Sequence, residues 1–172
     1  MPGGYADTAK IEGVPATIRI IPSDDAVAVA DFDTIDPFAT VNVDGFSVKF
    51  EEEEAKFTDS LGEDHEFNAT VKTVVDFQIG EVSAPILAVF RGQDPAAIVG
   101  GTVPLWVPGR KRRWSVLISG SREANQVALL LKSCTFAANE IPLKKGVNSY
   151  QVTLTGHMKD GQSPGSFMET NV

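Results

Sequence analysis

Residues 39–50, ATVNVDGFSVKF, alternate apolar and polar side chains on both sides of an Asp44-Gly45 pair. Asp-Gly between β-rich arms is a strong signal for a two-residue hairpin, because a type I′ turn needs positive φ at both central positions. Such a turn pairs Val43 with Phe46, Val41 with Val48 and Ala39 with Phe50 on one face. Thr40, Asn42, Ser47 and Lys49 fall on the other face, so hydrophobic pattern and register agree and a hairpin is expected.

The same period of two continues outward. EFNATVKTVVDF (66–77) places Phe67, Ala69, Val71, Thr73, Val75 and Phe77 together, as in a half-buried strand. RWSVLISG (113–120), VALLLKSCTF (127–136) and NSYQVTLTG (148–156) read as further strands, the middle one apolar enough to be covered on both faces. LKKG (143–146) supplies a turn between the last two, and VPATIRII (14–21) and AVAVADF (26–32) read as two strands at the front. The segment 80–95 is the one good short helix: Ser83 can cap it, Pro85 is tolerated in a first turn, and Gly92 and Pro95 end it. Ile86, Leu87, Val89 and Phe90 give it an apolar stripe. Fifteen glycines and ten prolines punctuate the chain, which is the pattern of many short strands in a sandwich or barrel. VGGTVPLWVPGRKRR (99–113) is broken by both residue types and is expected to be irregular, and the ends, about 1–13 and 159–172, are expected to be loose.

At 172 residues the chain has the length of one ordinary domain. With 42% apolar and 22% charged residues it is neither a disordered polyelectrolyte nor a membrane-spanning protein. The first ten residues show no secretory leader, and one cysteine allows no internal disulfide, which fits synthesis in a reducing cytoplasm. The net charge of −8 argues against a general DNA-binding surface. Charge is concentrated: Glu51–Glu66 holds eight acids and one base, 1 − 8 = −7, whereas Arg110, Lys111, Arg112 and Arg113 put four bases in a row.

Catalytic and metal-binding signatures are missing. His65 and His157 stand far apart without HxxxH or HExxH spacing, Cys134 is solitary in an apolar strand, and neither a GxSxG elbow nor a phosphate-cradling glycine loop occurs. No enzyme, cofactor or metal is expected. The glutamate run is either a solvated loop or an electrostatic surface used in assembly, and it lacks the spacing and central glycine of a calcium loop. The basic run could meet nucleic acid or an acidic patch on another subunit; Trp106 and Trp114 are the only nearby aromatic residues for base stacking.

In order, the chain shows a hairpin, an acidic excursion, a strand running through VVDFQIGEVSAPILAVFRGQ into a short helix, and a glycine-rich loop. A meander follows, RWSVLISGSREANQVALLLKSCTF and then AANEIPLKKGVNSYQVTLTGHMKDGQ. This succession resembles the major tail tube protein of tailed bacteriophages, in patterns of residue type from about Thr40 to Gln162. The resemblance implies a mainly β chain, a β-sandwich or split barrel with one short flanking α-helix and a long acidic loop, spanning 1–172 as a single domain. It implies six-membered homo-oligomeric rings that stack into a tube in the virion tail, with genomic DNA passing through the lumen without specific binding. Tape-measure, terminator and baseplate or tip proteins would be its other partners, and no catalytic residue is carried over. In that family a long loop bridges subunits, and the excursion sits where that loop belongs. Glu51, Glu52, Glu53, Glu54, Phe57, Asp59, Leu61, Glu63 and Asp64 are then candidate interface residues, and Arg110 to Arg113 a basic interface patch. Separate acidic and basic segments suit head-to-tail contacts, which make rings and open stacks. The alternatives are a capsid-decorating or other virion accessory module, a tail terminator or secretion-system tube relative, and, least supported, a small hydrolase or sugar-binding jelly roll.

Overall fold

The structure, a computed structural model, describes residues 16–80, 83–120, 126–140 and 150–170. The period-two segments form seven antiparallel strands: β1 (Ala16–Pro22), β2 (Ala39–Thr58), β3 (Asp64–Ile79), β4 (Trp114–Gly120), β5 (Gln126–Ala137), β6 (Tyr150–His157) and β7 (Gly165–Thr170). Their order is β4-β1-β2-β3-β6-β5-β7, and β4 pairs also with β5. The pairings therefore return to their start, and six strands close into a ring. Along one edge of β5, β6 takes Cys134–Ala137 and β7 takes Gln126–Leu131. The chain is mainly β with one short helix, as the sequence pattern implies.

Alternation fills the ring. Ile18, Val41, Val75, Phe77, Val116, Leu131, Val152 and Leu154 point inward and are fully buried or nearly so. Each such side chain is worth about 1.5–3 kcal/mol when taken from water. Helix α1 (Ala84–Phe90) closes one end with Ile86, Val89 and Phe90, whose ring meets Tyr150 at 6.1 Å and Phe136 at 5.4 Å. Ser83 Oγ accepts the Ile86 N–H, and Gly92 leaves the helix at φ +75°. Ala88 is buried where Leu87 was expected. β5 is covered on both faces, as its apolar run implies, because Val27 and Phe32 pack on Leu117, Ala128 and Leu130 outside the ring.

Four expectations are corrected. Asp44-Gly45 is not a hairpin turn: β2 runs straight through it, paired with β3 on both sides. Asn42 pairs with Gln78 and Ser47 with Asp76, so residues 43–46 stand opposite the single position 77 as a wide bulge. Glycine inside a strand pattern marks such bulges as readily as it marks turns. The choice follows from β3, whose inward face Thr73, Val75, Phe77 and Ile79 is long enough to take Val41 against Ile79 and Val48 against Val75 in one ladder.

The acidic excursion is not a loop but strand. Glu51–Thr58 of β2 pair with Asp64–Lys72 of β3, and only residues 59–63 turn. Glu51–Glu54 put carboxylates on both faces of the β2 strand, so no apolar period betrayed that half of the arm. Segment 26–32 is not a strand either. The Asp24 carboxylate accepts the Ala26 N–H and the Asp31 carboxylate accepts the Ala28 N–H, closing local turns that lead into a 3-10 turn at Val29–Phe32. Finally, the C-terminal segment is ordered along β5 as β7, with the Pro164 carbonyl accepting the Lys132 N–H. The LKKG turn and residues 1–13 lie outside the described residues. Among the described residues no helix is long and apolar enough to cross a membrane.

Candidate subunit interface

The arm exists because β2 and β3 outrun their other neighbours. β1 pairs with β2 only from Ala39 to Val41, and β6 pairs with β3 only from Lys72 to Ile79. Beyond these limits each arm strand pairs, among the described strands, with the other alone. Glu51, Glu52, Glu53 and Glu54 are exposed, as are Phe57, Leu61, Glu63 and Asp64. Glu51 faces Lys72 and Lys56 bonds Glu66, so two cross-strand charge pairs offset part of the repulsion along the arm. A register shift between Glu53 and Glu54 breaks the simple alternation of the four glutamates.

The tip is held by one carboxylate. Asp59 accepts the backbone N–H of Leu61 at 2.8 Å and of Glu63 at 3.0 Å, and its other oxygen lies 2.9 Å from His65 Nε2. These contacts, His65 foremost, hold the Asp59 carboxyl below its ordinary value. The His65 ring stacks on Phe57 at 5.0 Å. Asp59, Glu63 and His65 bring one ligand atom each within 4.8 Å of one another, a grouping a divalent cation could share. The contacts of Asp59 with Leu61, Glu63 and His65 all lie within the arm tip, and its role on this geometry is to keep the tip folded.

The four bases are not equivalent. Arg112 forms an ion pair with Asp94, lies over the Trp114 ring at 5.0 Å, and its backbone N–H bonds the Gly92 carbonyl. Arg113 reaches Ser133 Oγ at 3.4 Å. Lys111 lays its stem against Gly92, where a Cβ would meet Lys111 Cγ at 2.7 Å. Arg110 is exposed. The sequence reading missed the setting: a cleft of about 560 Å³ between the end of α1 and the irregular loop, to which Arg91, Asp94, Val107, Arg110, Lys111 and Arg112 contribute. Its walls are braced by Arg91 donating to the Leu105 carbonyl at 2.8 Å and Gln93 donating to the Pro104 carbonyl at 2.6 Å. Between the lining residues Pro104 and Val107, Leu105 is 87% and Trp106 75% exposed. The available signal was PLWVP itself, an apolar run inside a loop with no strand or helix to bury it.

Neither family models nor curated proteins give a match to this chain. On the outside of β3 and β6, Thr153 donates to Asp76 at 2.7 Å and Lys49 joins at 3.2 Å, and these bonds lower the Asp76 carboxyl against the opposing effect of burial. Nearby, His157 Nε2 lies 3.0 Å from Thr135 Oγ1; burial, then Arg113 and Lys72, push its pKa down and favour the neutral ring. Cys134 is fully buried in β5 and desolvation raises its thiol pKa, so the sequence reading of a small core residue fits. Lys159 pairs with Asp25 at 2.6 Å and clips the start of the C-terminal segment to the front of the chain.

Proposed function

We propose that this chain is a structural, non-enzymatic subunit that assembles with copies of itself into stacked rings, as the tail tube of a bacteriophage does. The observation that carries the reading is the β2–β3 arm: a two-stranded, strongly acidic projection that contributes little to the closed ring from which it extends. A self-sufficient monomer gains nothing from ordering some twenty residues outside its core, since fixing each backbone residue costs about 1–2 kcal/mol. A partner surface accounts for that cost. The outer faces of β3 and β6, with Lys72, Asp76, Gln78, Gln151, Thr153 and Thr155, suit a sheet wetted on one side. An acidic arm near a channel would repel DNA phosphates and keep the lumen from binding its cargo. In this reading the rings are hexameric, the tube lies in the virion tail, and tape-measure, terminator and tip proteins cap or fill it.

Negative-stain electron microscopy of the concentrated protein tests the proposal. Rings or tubes are the expected result. A monomer or trimer at every salt and protein concentration, binding only to a preformed capsid lattice, would overturn it in favour of a virion accessory module.

A further inference from the structure

Arm tip and basic cleft lie at opposite poles of the molecule. β3 starts at the tip turn with Asp64 and ends at Ile79, and α1 begins five residues later. Sixteen strand residues span about 50 Å at 3.3 Å each, whereas a seven-residue helix returns only about 10 Å. Phe90, next to the cleft, sits against Tyr150, the partner of Ile79. β1 runs antiparallel to β2, so its Pro22 end, paired with Trp114 beside the basic run, also points away from the tip. The tip cannot reach the cleft of its own chain.

From this polarity we infer that the cleft between α1 and residues 104–112 receives the arm tip of a second copy, with Leu61 entering among Val107, Pro108 and Ile98. The inference rests on the self-assembly reading above and names its contact. Charge favours it: the cleft carries Arg91, Arg110, Lys111 and Arg112 against Asp94, 4 − 1 = +3, and the tip brings Asp59, Glu63 and Asp64. The apolar parts match as well, since Leu61 is 84% exposed at the tip and Ile98, Pro104, Val107 and Pro108 line the cleft. Arg91, Arg110 and Arg112 around the cleft are of a residue type that concentrates interface energy. Two arms pairing edge to edge are disfavoured, because like charges facing each other across a ladder repel. A surface at one pole that fits a surface at the other is a heterologous contact, which generates rings or open stacks and not closed dimers.

The test combines charge exchange with cross-linking in the full chain. Arg110→Glu should raise the concentration needed for assembly at least tenfold, and adding Glu63→Lys should restore it by reversing both partners. Leu61→Cys together with Val107→Cys should give a ladder of covalent oligomers on a non-reducing gel, with buried Cys134 silent. Circular dichroism and thermal melting check that each variant is folded. Wild-type assemblies that Arg110→Glu leaves unchanged, or that it weakens without rescue by Glu63→Lys and without a ladder, overturn the docking and leave the tube reading intact. Wild-type protein that never assembles overturns both.

Discussion

The hydroxyl of Thr153 on β6 donates to the carboxylate of Asp76 on β3 at 2.7 Å, directly across the ladder, and Lys49 on β2 reaches the same carboxylate at 3.2 Å. One anion thus ties three neighbouring strands on the outer face of the ring. Hydrogen bonds to the charged form lower its pKa from the ordinary 3.8. The stability this provides is present above pH 3.8 and is lost as pH falls through the lowered folded value. Thr153→Val should lower stability by about 1–2 kcal/mol at neutral pH. Urea titrations at pH 7 and pH 2.5 check this: the difference between variant and wild type should shrink in acid.

Arg112 serves its own fold before it serves any partner. Its ion pair with Asp94 and its position over Trp114 join the basic run to the exit of α1. Both charged groups are about a third exposed, so the pair is a modest one. Arg112→Ala should cost about 1 kcal/mol from the ion pair and the cation–ring contact together. Arg110→Ala, at an exposed position, should cost less than about 0.5 kcal/mol. Thermal melts of the two variants side by side measure the contrast.

The arm should be removable. Replacing residues 56–66 by Asn-Gly joins Ala55 to Phe67, which are already cross-strand partners, through a two-residue turn. The shortened chain should stay folded, with a melting temperature within a few degrees of the parent, because the ring pairs with none of the lost residues. Assembly should vanish. Loss of cooperative unfolding in the shortened chain would mean that the arm belongs to the core.

Gly165 fixes the last strand. A Cβ there would lie 2.0 Å from the Leu130 carbonyl oxygen and 2.8 Å from Leu131 Cδ2, and backbone cannot yield as a side-chain end can. Gly165→Ala should destabilise by about 1–3 kcal/mol, the usual cost of overpacking. Hydrogen exchange locates the effect: amides paired between β5 and β7 should lose protection, and those between β3 and β6 should keep theirs.

Legibility from sequence followed burial. Where one strand face meets the core, as at Val75 and Phe77 or at Val152 and Leu154, alternation of residue type revealed the strand and its inward side. The helix was legible because Ser83, Pro85 and Gly92 mark its ends by local chemistry. Asp44-Gly45 misled because glycine inside a strand pattern marks a bulge as well as a turn, and only the distant β3 decides between them. The arm was half hidden: the alternation of Phe67, Ala69 and Val71 revealed its β3 strand, whereas Glu51–Glu54 put charge on both faces of its β2 strand, whose regularity lies in backbone pairing that composition does not record. The candidate interface residues were found as charge runs, but the cleft that gives the basic run its shape depends on Arg91 and Gln93 meeting carbonyls more than ten residues away.

A ring of strands that closes on the inner half of its longest hairpin, leaving the outer half free, separates two kinds of heredity within one gene. Substitutions in the barrel answer to folding, where each methylene is felt, while those beyond Lys72 answer only to whatever the projection touches. If the projection docks as proposed, changes along it retune partner choice at almost no risk to the scaffold, and a lineage of such chains would diverge fastest where it is most specific.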